Sequence, residues 1–566
     1  MKKSIISLLK SKSYICITLI SAIASYLFTI THNAIDIDDT AIALYFQDGL
    51  AAYVHRWTIF FFCHIFRIPA DYKCVGVIEA ISVLILCCSV CIWTALWKWL
   101  FDRIIPIHPF FYGLISALFI SNPIICEVFI YFLHNGICIA YGMTGLALYM
   151  FLRSTEGTIK KRIGYLALST LLLALSVGCY ESFLLAFVLG AFITFIVIRA
   201  LMQDCESESD SVPLPSSKII PWIINGSLII IGTIAIRAVM YRICLRFYDP
   251  SMFSDYDVAY RSYFGDNLTA ISELGMTLKR YISLYHINGM MYLPVTLLII
   301  ARITILAFGI ISAIKKKDIF ILLSAMIIAV LPPFMAVFEG TVTKYRSAQY
   351  VPMVSAYALL LLMVLIGKKL GNKSNSKPFI SLAAVISLIM IAQIVNTNKW
   401  FHANYEKYRY AESEIIKIAE DLRSGNYDIS KPIAFVGANR VPTDIVSNGS
   451  IPFDSKRFGM ICRLTDPIDP HWKEKFYSSA PGLGYIYNAS PQESILQWGA
   501  DAFNHSDEQL IKLMDMLGYE GFTAADSETM IRARELQDEI NIPSISSGEN
   551  YIYEAEDFLL VNIDAN

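Results

Sequence analysis

The chain has 566 residues, of which 55% are hydrophobic and only 17% charged, and its mean hydropathy is +0.52. A soluble domain carries closer to a quarter charged residues, so the composition excludes a soluble globular protein and fits a chain that crosses a membrane many times. The net charge of −2 leaves no electrostatic footprint for a nucleic-acid partner.

Lys2, Lys3, Lys10 and Lys12 precede the first apolar run, Tyr14 to Ile30, which is long enough to cross a bilayer. Cations before a first span keep the N-terminus in the cytoplasm. No small-residue cleavage pattern follows, so the run reads as a span and not as a removed signal. Directly beyond it stands Ile35-Asp36-Ile37-Asp38-Asp39-Thr40. This acidic run is either a solvated loop that stops the helix or a set of carboxylates held at the membrane boundary for chemistry. The stretch 31–74 continues with Ala41 to Val54, where Tyr45, Phe46 and Tyr53 supply the apolar face of an interfacial helix. His55-Arg56-Trp57 then re-enters the membrane with a cation and an indole at its boundary. An interfacial anchor has the same composition.

Further spans are expected near 75–97, 107–121, 135–152, 163–179, 182–200, 219–241, 291–314, 318–338, 350–367 and 378–395, giving about eleven in all. Lys98, Arg103, Arg153, Lys160 to Arg162, Lys315 to Lys317, Lys368, Lys369, Lys373 and Lys377 fall in alternate loops, which are therefore cytoplasmic. The turn Gly178-Cys179-Tyr180-Glu181-Ser182 puts Glu181 at the outer edge between two apolar spans. An ionisable group there is a functional candidate. The outer loop 242–290 carries Arg242, Arg246, Arg261, Lys279 and Arg280 against the positive-inside bias. These residues either bind an anionic headgroup or form ordinary ion pairs. In the hairpin Glu339 to Arg346, Lys344 and Arg346 lie at the depth of a lipid phosphate, which both can bind through charge-assisted hydrogen bonds. Snorkelling cations would look the same.

After the last span the composition turns polar. Tyr405 to Leu422 reads as an amphipathic helix, Pro432 to Gly437 as a buried strand, Ser506 to Leu517 as a helix and Phe558 to Ile563 as a closing strand. The expected architecture is a polytopic α-helical membrane body, 1–395, with outer loops 31–74 and 242–290, followed by an exported α/β domain, 396–566. Of twelve cysteines only Cys462 lies in the tail, so no internal disulfide can staple it. Zinc-ligand spacing, phosphate-cradling glycine loops and Ser-centred elbows are absent from the sequence, so nucleotide-driven transport has no support.

In order and topology these features resemble the Gtr-type O-antigen glucosyltransferases, the serotype-converting enzymes of enteric bacteria and their phages. The resemblance rests on Asp38-Asp39 after the first span, Arg56-Trp57, Tyr180-Glu181-Ser182 in an outer turn, the Lys/Arg hairpin near Arg346, and a closing domain with the Pro432 to Gly437 strand. It implies a GT-C architecture in the bacterial inner membrane. It also implies a polyprenyl-phosphate sugar donor and an O-antigen acceptor on lipopolysaccharide. A flippase and a donor-synthesising glucosyltransferase would supply the donor.

The residues fit that chemistry. Transfer from a lipid phosphate needs a base for the acceptor hydroxyl and cations for the departing phosphate. Asp38 is expected as the base, with Asp39 beside it and Asp36 as a third candidate. Arg56, Trp57, Tyr180, Glu181, Arg280, Lys344 and Arg346 are expected to bind substrate. The leaving group is a monophosphate, so Lys and Arg side chains can stand in for a metal, although the acidic cluster has the oxygen ligands a divalent cation takes. Two other functions compete. An O-antigen polymerase would not be expected to carry the polar tail. A lipid-linked sugar transporter or flippase would favour repeats and mid-membrane charges, for which Arg237 and Arg302 are the candidates.

Overall fold

An apolar run in hydrocarbon satisfies its backbone only as a helix, and among the described residues the expected spans are helical. The computed structural model describes residues 1–32, 34–35, 56–66, 75–129, 134–202, 219–244, 246, 292–338, 348–370, 377–437, 439, 441, 496 and 507–564. The helices of the membrane body are α1 (Lys2–Leu9), α2 (Lys12–Thr31), α3 (Trp57–Phe66), α4 (Val75–Phe101), α5 (Pro109–Ile120), α6 (Pro123–Val128), α7 (His134–Ser154), α8 (Ile159–Val177), α9 (Phe183–Val197, continued by a π turn to Met202), α10 (Ile219–Cys244), α11 (Tyr292–Lys316), α12 (Ile319–Phe338), α13 (Val351–Leu370) and α14 (Lys377–Ser424). Each expected span falls on one of them. Among the described residues, eight are long and apolar enough to cross a membrane: α2, α4, α7, α9, α10, α11, α13 and α14. The other expected spans fall on α5, α8 and α12. α5 and the first part of α12 are shorter apolar helices, and α8 opens on Lys160, Lys161 and Arg162. The chain is a multi-pass membrane protein.

Small and hydroxylated residues bring the helices together, as they do where lipid offers no hydrophobic drive to association. Ser89 on α4 donates to the Cys138 carbonyl of α7 at 2.7 Å, and the Trp93 indole donates to the Tyr141 carbonyl at 2.9 Å. Gly142 and Gly145 of α7 face those two side chains; a Cβ at Gly142 would stand 2.7 Å from the Ser89 hydroxyl. Thr144 and Ser176 bond at 2.6 Å across α7 and α8.

These contacts order the ends of the bundle. Thr29, near the end of α2, meets Glu79, near the start of α4. The end of α8 meets the start of α3, where the Thr58 N–H donates to the Gly178 carbonyl at 3.1 Å. At the opposite end Arg162 and Asn225 both donate to the Ser154 carbonyl, Lys316 donates to the Arg199 carbonyl, and Arg199 pairs with Asp318.

At 48 residues, α14 is about 72 Å long, more than twice the thickness of a bilayer core. The amphipathic stretch from Tyr405 is therefore the far half of this helix and not a helix of its own. Asn398 of α14 donates to the Ala24 carbonyl of α2 at 2.8 Å. Beyond that point α14 passes into the α/β unit.

That unit holds β1 (Ile433–Val436), α15 (Glu508–Met516), α16 (Ser527–Ile540), β2 (Ile552–Glu554) and β3 (Leu559–Asn562). The sheet order is β1-β3-β2. β1 runs parallel to β3 with Ile433 opposite Leu559, and β2 runs antiparallel to β3. The strand side chains alternate between two apolar clusters. Ile433, Phe435, Leu559 and Val561 join Ile415, Ile418 and Leu422 of α14 and Leu510, Leu513 and Met514 of α15. Ala434, Val436 and Leu560 join Met530 and Ala533 of α16. Helices cover both faces, so the strands read as unbroken apolar runs. α16 starts on Asp526, whose carboxylate accepts from the Thr529 N–H at 2.8 Å and is held below its usual pKa by that bond.

Candidate functional site

The turn between α8 and α9 is where the described site residues meet. Its conformation follows from Gly178. A Cβ there would overlap the Trp57 indole and the Thr58 hydroxyl. Glycine is required for space, since its φ of −71° suits any residue. α3 can therefore lie directly on the end of α8, fastened by the Thr58 N–H on Gly178 and the Thr58 hydroxyl on the Leu175 carbonyl at 2.8 Å.

With α3 seated, Arg56 lies over Tyr180, its guanidinium carbon 4.9 Å from the ring centroid. Trp57 is buried. One residue beyond Tyr180, the Glu181 carboxylate accepts from Arg237 of α10 at 3.1 Å. Both side chains are partly accessible, 36% for Glu181 and 28% for Arg237. Among the described residues, polar atoms buried at this site without a hydrogen-bond partner include the Trp57 indole nitrogen, the Ser182 hydroxyl and Arg237 Nε. Unused donors beside a half-open ion pair can serve an anionic or hydroxylated ligand.

Of the residues expected from sequence, Arg56, Trp57, Tyr180 and Glu181 are thus brought together. Asp36, Asp38, Asp39, Arg280, Lys344 and Arg346 lie outside the described residues. Among the described residues no group of three His, Cys, Asp or Glu side chains is placed to hold a metal.

One residue at the site was not expected. Arg237 belongs to it through Glu181, so it is not an isolated mid-membrane charge. Its position in an otherwise apolar span was visible, but its partner is 56 residues away. Apart from the residues gathered at that turn, Glu79, one turn into α4, is an unexpected buried acid, 4% exposed. Thr29 donates to its Oε1 at 3.0 Å, while Oε2 is buried with no hydrogen-bond partner. A single acid within Val75 to Ile81 was the signal for it.

A protein-family model described as "Glucosyl transferase GtrII" matches residues 27–363, more than half of the chain. No curated protein matches. Two solved structures of an Archaeoglobus fulgidus oligosaccharyltransferase are similar. One, tethered to an acceptor peptide with the NVT sequon, is 12% identical with a TM-score of 0.37, covering 76% of this chain and 62% of that one. The other, in complex with Zn and sulfate, is 13% identical with a TM-score of 0.35, covering 74% and 60%. The chain thus spans about three-fifths of the length of the oligosaccharyltransferase it matches.

Proposed function

The chain belongs to the glucosyl transferase GtrII family and is a membrane glycosyltransferase, and we propose that it moves glucose from a polyprenyl-phosphate carrier to the O-antigen of lipopolysaccharide on the periplasmic face. The observation that carries this reading is the gathering of Arg56, Tyr180, Glu181 and Arg237 at one turn, at the end of the bundle where α2 finishes and α14 leaves. Lys98, Arg103, Arg153 and Lys315 to Lys317 belong to the other end, which the positive-inside rule makes cytoplasmic. Nucleotide sugars are confined to that side. A transferase working on the far face therefore needs a donor delivered within the membrane.

In this reading the acceptor hydroxyl attacks the anomeric carbon. The bond from that carbon to the phosphate oxygen breaks, and polyprenyl phosphate leaves. Asp38 takes the hydroxyl proton, Asp39 helps shape the site, and Asp36 is the third carboxylate of the run. Arg346, Lys344 and Arg280 receive the phosphate. Arg237 sits within a helix whose Ile231, Ile234 and Val239 are exposed, so it adds a cation beside the lipid path. Trp57 and Tyr180 line the turn and hold Arg56 and Glu181 toward the substrate. The body adopts a GT-C-like arrangement in the bacterial inner membrane, with residues 396–566 as a periplasmic domain. Modification of O-antigen by such a reaction changes serotype, and a flippase and a donor-synthesising glucosyltransferase supply the donor.

The test is transfer by the purified protein in proteoliposomes, with radiolabelled glucose on polyprenyl phosphate or on a nucleotide. Label should move to O-antigen from the lipid donor alone. Transfer from the nucleotide sugar alone would refute the reading.

A further inference from the structure

We propose that Glu181 bonds the C2 hydroxyl of the donor sugar and thereby selects a hexose that carries one. The role rests on the reading of Arg237 as a cation beside the path of the carrier phosphate. Among the described residues the Glu181 carboxylate has one partner: Oε1 accepts from Arg237 Nη2 at 3.1 Å. Oε2 takes no bond from them, and the side chain is partly accessible. Arg237 is engaged in the same partial way, with one terminal nitrogen on Glu181 and its side chain half open. The pair therefore presents an unused acceptor and an unused donor side by side.

Charge decides what the acceptor can take. A phosphate oxygen bonded to a guanidinium nitrogen stands about 2.8 Å from it. A carboxylate on the same guanidinium is kept off that phosphate by like charge. The group that fits beside both anions is a neutral donor, which a sugar hydroxyl supplies. In a sugar joined to its lipid through one phosphate, the C1 oxygen belongs to the phosphate, and the C2 hydroxyl is the O–H on the next carbon. Donating to Glu181 Oε2, it forms a charge-assisted hydrogen bond. The carboxylate is oriented for this from both ends. Arg237 holds Oε1, and the Glu181 carbonyl accepts from the Leu184 N–H at 3.0 Å, which fixes the backbone at the start of α9. A site built to bond a hydroxyl rejects an analogue that lacks it, because its own polar group is then left unpaired.

The test compares two donors, polyprenyl-phosphate glucose and its 2-deoxyglucose analogue, with the full-length wild type and Glu181→Ala in proteoliposomes. The quantity read is the ratio of kcat/KM for the two donors within each protein. That ratio cancels any loss of folded enzyme, and comparing it between the proteins cancels the intrinsic reactivity of the sugars. The preference for glucose should fall by roughly 10- to 100-fold in Glu181→Ala, the range of one hydrogen bond to a charged group. A simple counter-ion of Arg237 would instead slow both donors in equal proportion, and an unchanged ratio overturns the proposal. If the wild type transfers sugar from neither lipid donor, the functional reading fails, and equilibrium binding of the same two lipids decides the role of Glu181. The wild type should then bind the glucose lipid roughly 10- to 100-fold tighter than the 2-deoxyglucose lipid, and Glu181→Ala should bind both alike. Equal affinities in the wild type, or a preference that survives in Glu181→Ala, would overturn it.

Discussion

The Arg237 guanidinium donates to the Glu181 carboxylate at 3.1 Å, joining a lipid-facing helix to the turn between α8 and α9. An ion pair inside a membrane protein neutralises two costly charges. It also keeps a cation and a carboxylate ready for a ligand that can separate them. If Arg237 serves the carrier phosphate, Arg237→Gln should lower transfer by roughly 10- to 100-fold. Because both side chains are partly exposed, the cost in stability should be about 1 kcal/mol or less. The exchange Glu181→Arg with Arg237→Glu keeps the pair but reverses it. A purely structural pair would regain activity in that double variant; the reading here predicts that it does not.

Gly178 tests how α3 is seated. In Gly178→Ala the added methyl group overlaps Trp57 and Thr58. Overpacking of this kind costs about 1–3 kcal/mol, so the melting temperature should fall. Transfer should fall too, because Arg56 is held over Tyr180 only while α3 lies on the end of α8. Thermal melting in detergent, read beside donor kinetics, checks both.

Glu79 is a buried acid with half of its hydrogen-bonding capacity unused. Replacing it by glutamine keeps an acceptor for the Thr29 hydroxyl and removes the acid. Glu79→Gln should accordingly melt near the wild-type temperature. The unused buried Oε2 points to a role in the reaction, and Glu79→Gln should transfer sugar more slowly. Equal transfer rates would assign Glu79 no part in it.

For the carrier phosphate, Arg346→Ala should raise the donor KM far more than it lowers the folded yield. Arg346→Lys should recover only part of the loss, since a point charge does not reproduce the two-pronged guanidinium. Wild-type donor kinetics in Arg346→Ala would remove Arg346 from the site.

Much of this architecture was legible in the sequence because membrane helices are specified by length and apolarity. The helices over Tyr14 to Ile30 and Phe183 to Ala200 need no partner to be recognised. The strands Ile433–Val436 and Leu559–Asn562 were legible for the same reason: both faces are buried, so the residues are apolar without interruption. Tyr180 and Glu181 stood out as polar residues in a turn between spans. Their partners did not. Arg237 meets Glu181, and Trp57 lies on Gly178, only through packing between helices distant in sequence. Ile35 was the least legible of all. Within Ile35-Asp36-Ile37-Asp38 it looks like one half of an alternating surface strand, and only the core built by α14, β1 and β3 shows that it is buried. The acidic run itself and Arg346 lie outside the described residues, so their assignment rests on chemistry and family.

The most direct measurement is the rate of sugar transfer from polyprenyl phosphate by Asp38→Asn. The substitution keeps the side chain's shape and removes its capacity to accept a proton. The account predicts that transfer is abolished while membrane insertion, protein level and donor binding stay at wild-type values, and that Asp39→Asn leaves slow residual turnover. Transfer at the normal rate by Asp38→Asn would contradict it and move the search for the base to Asp39 or Glu181.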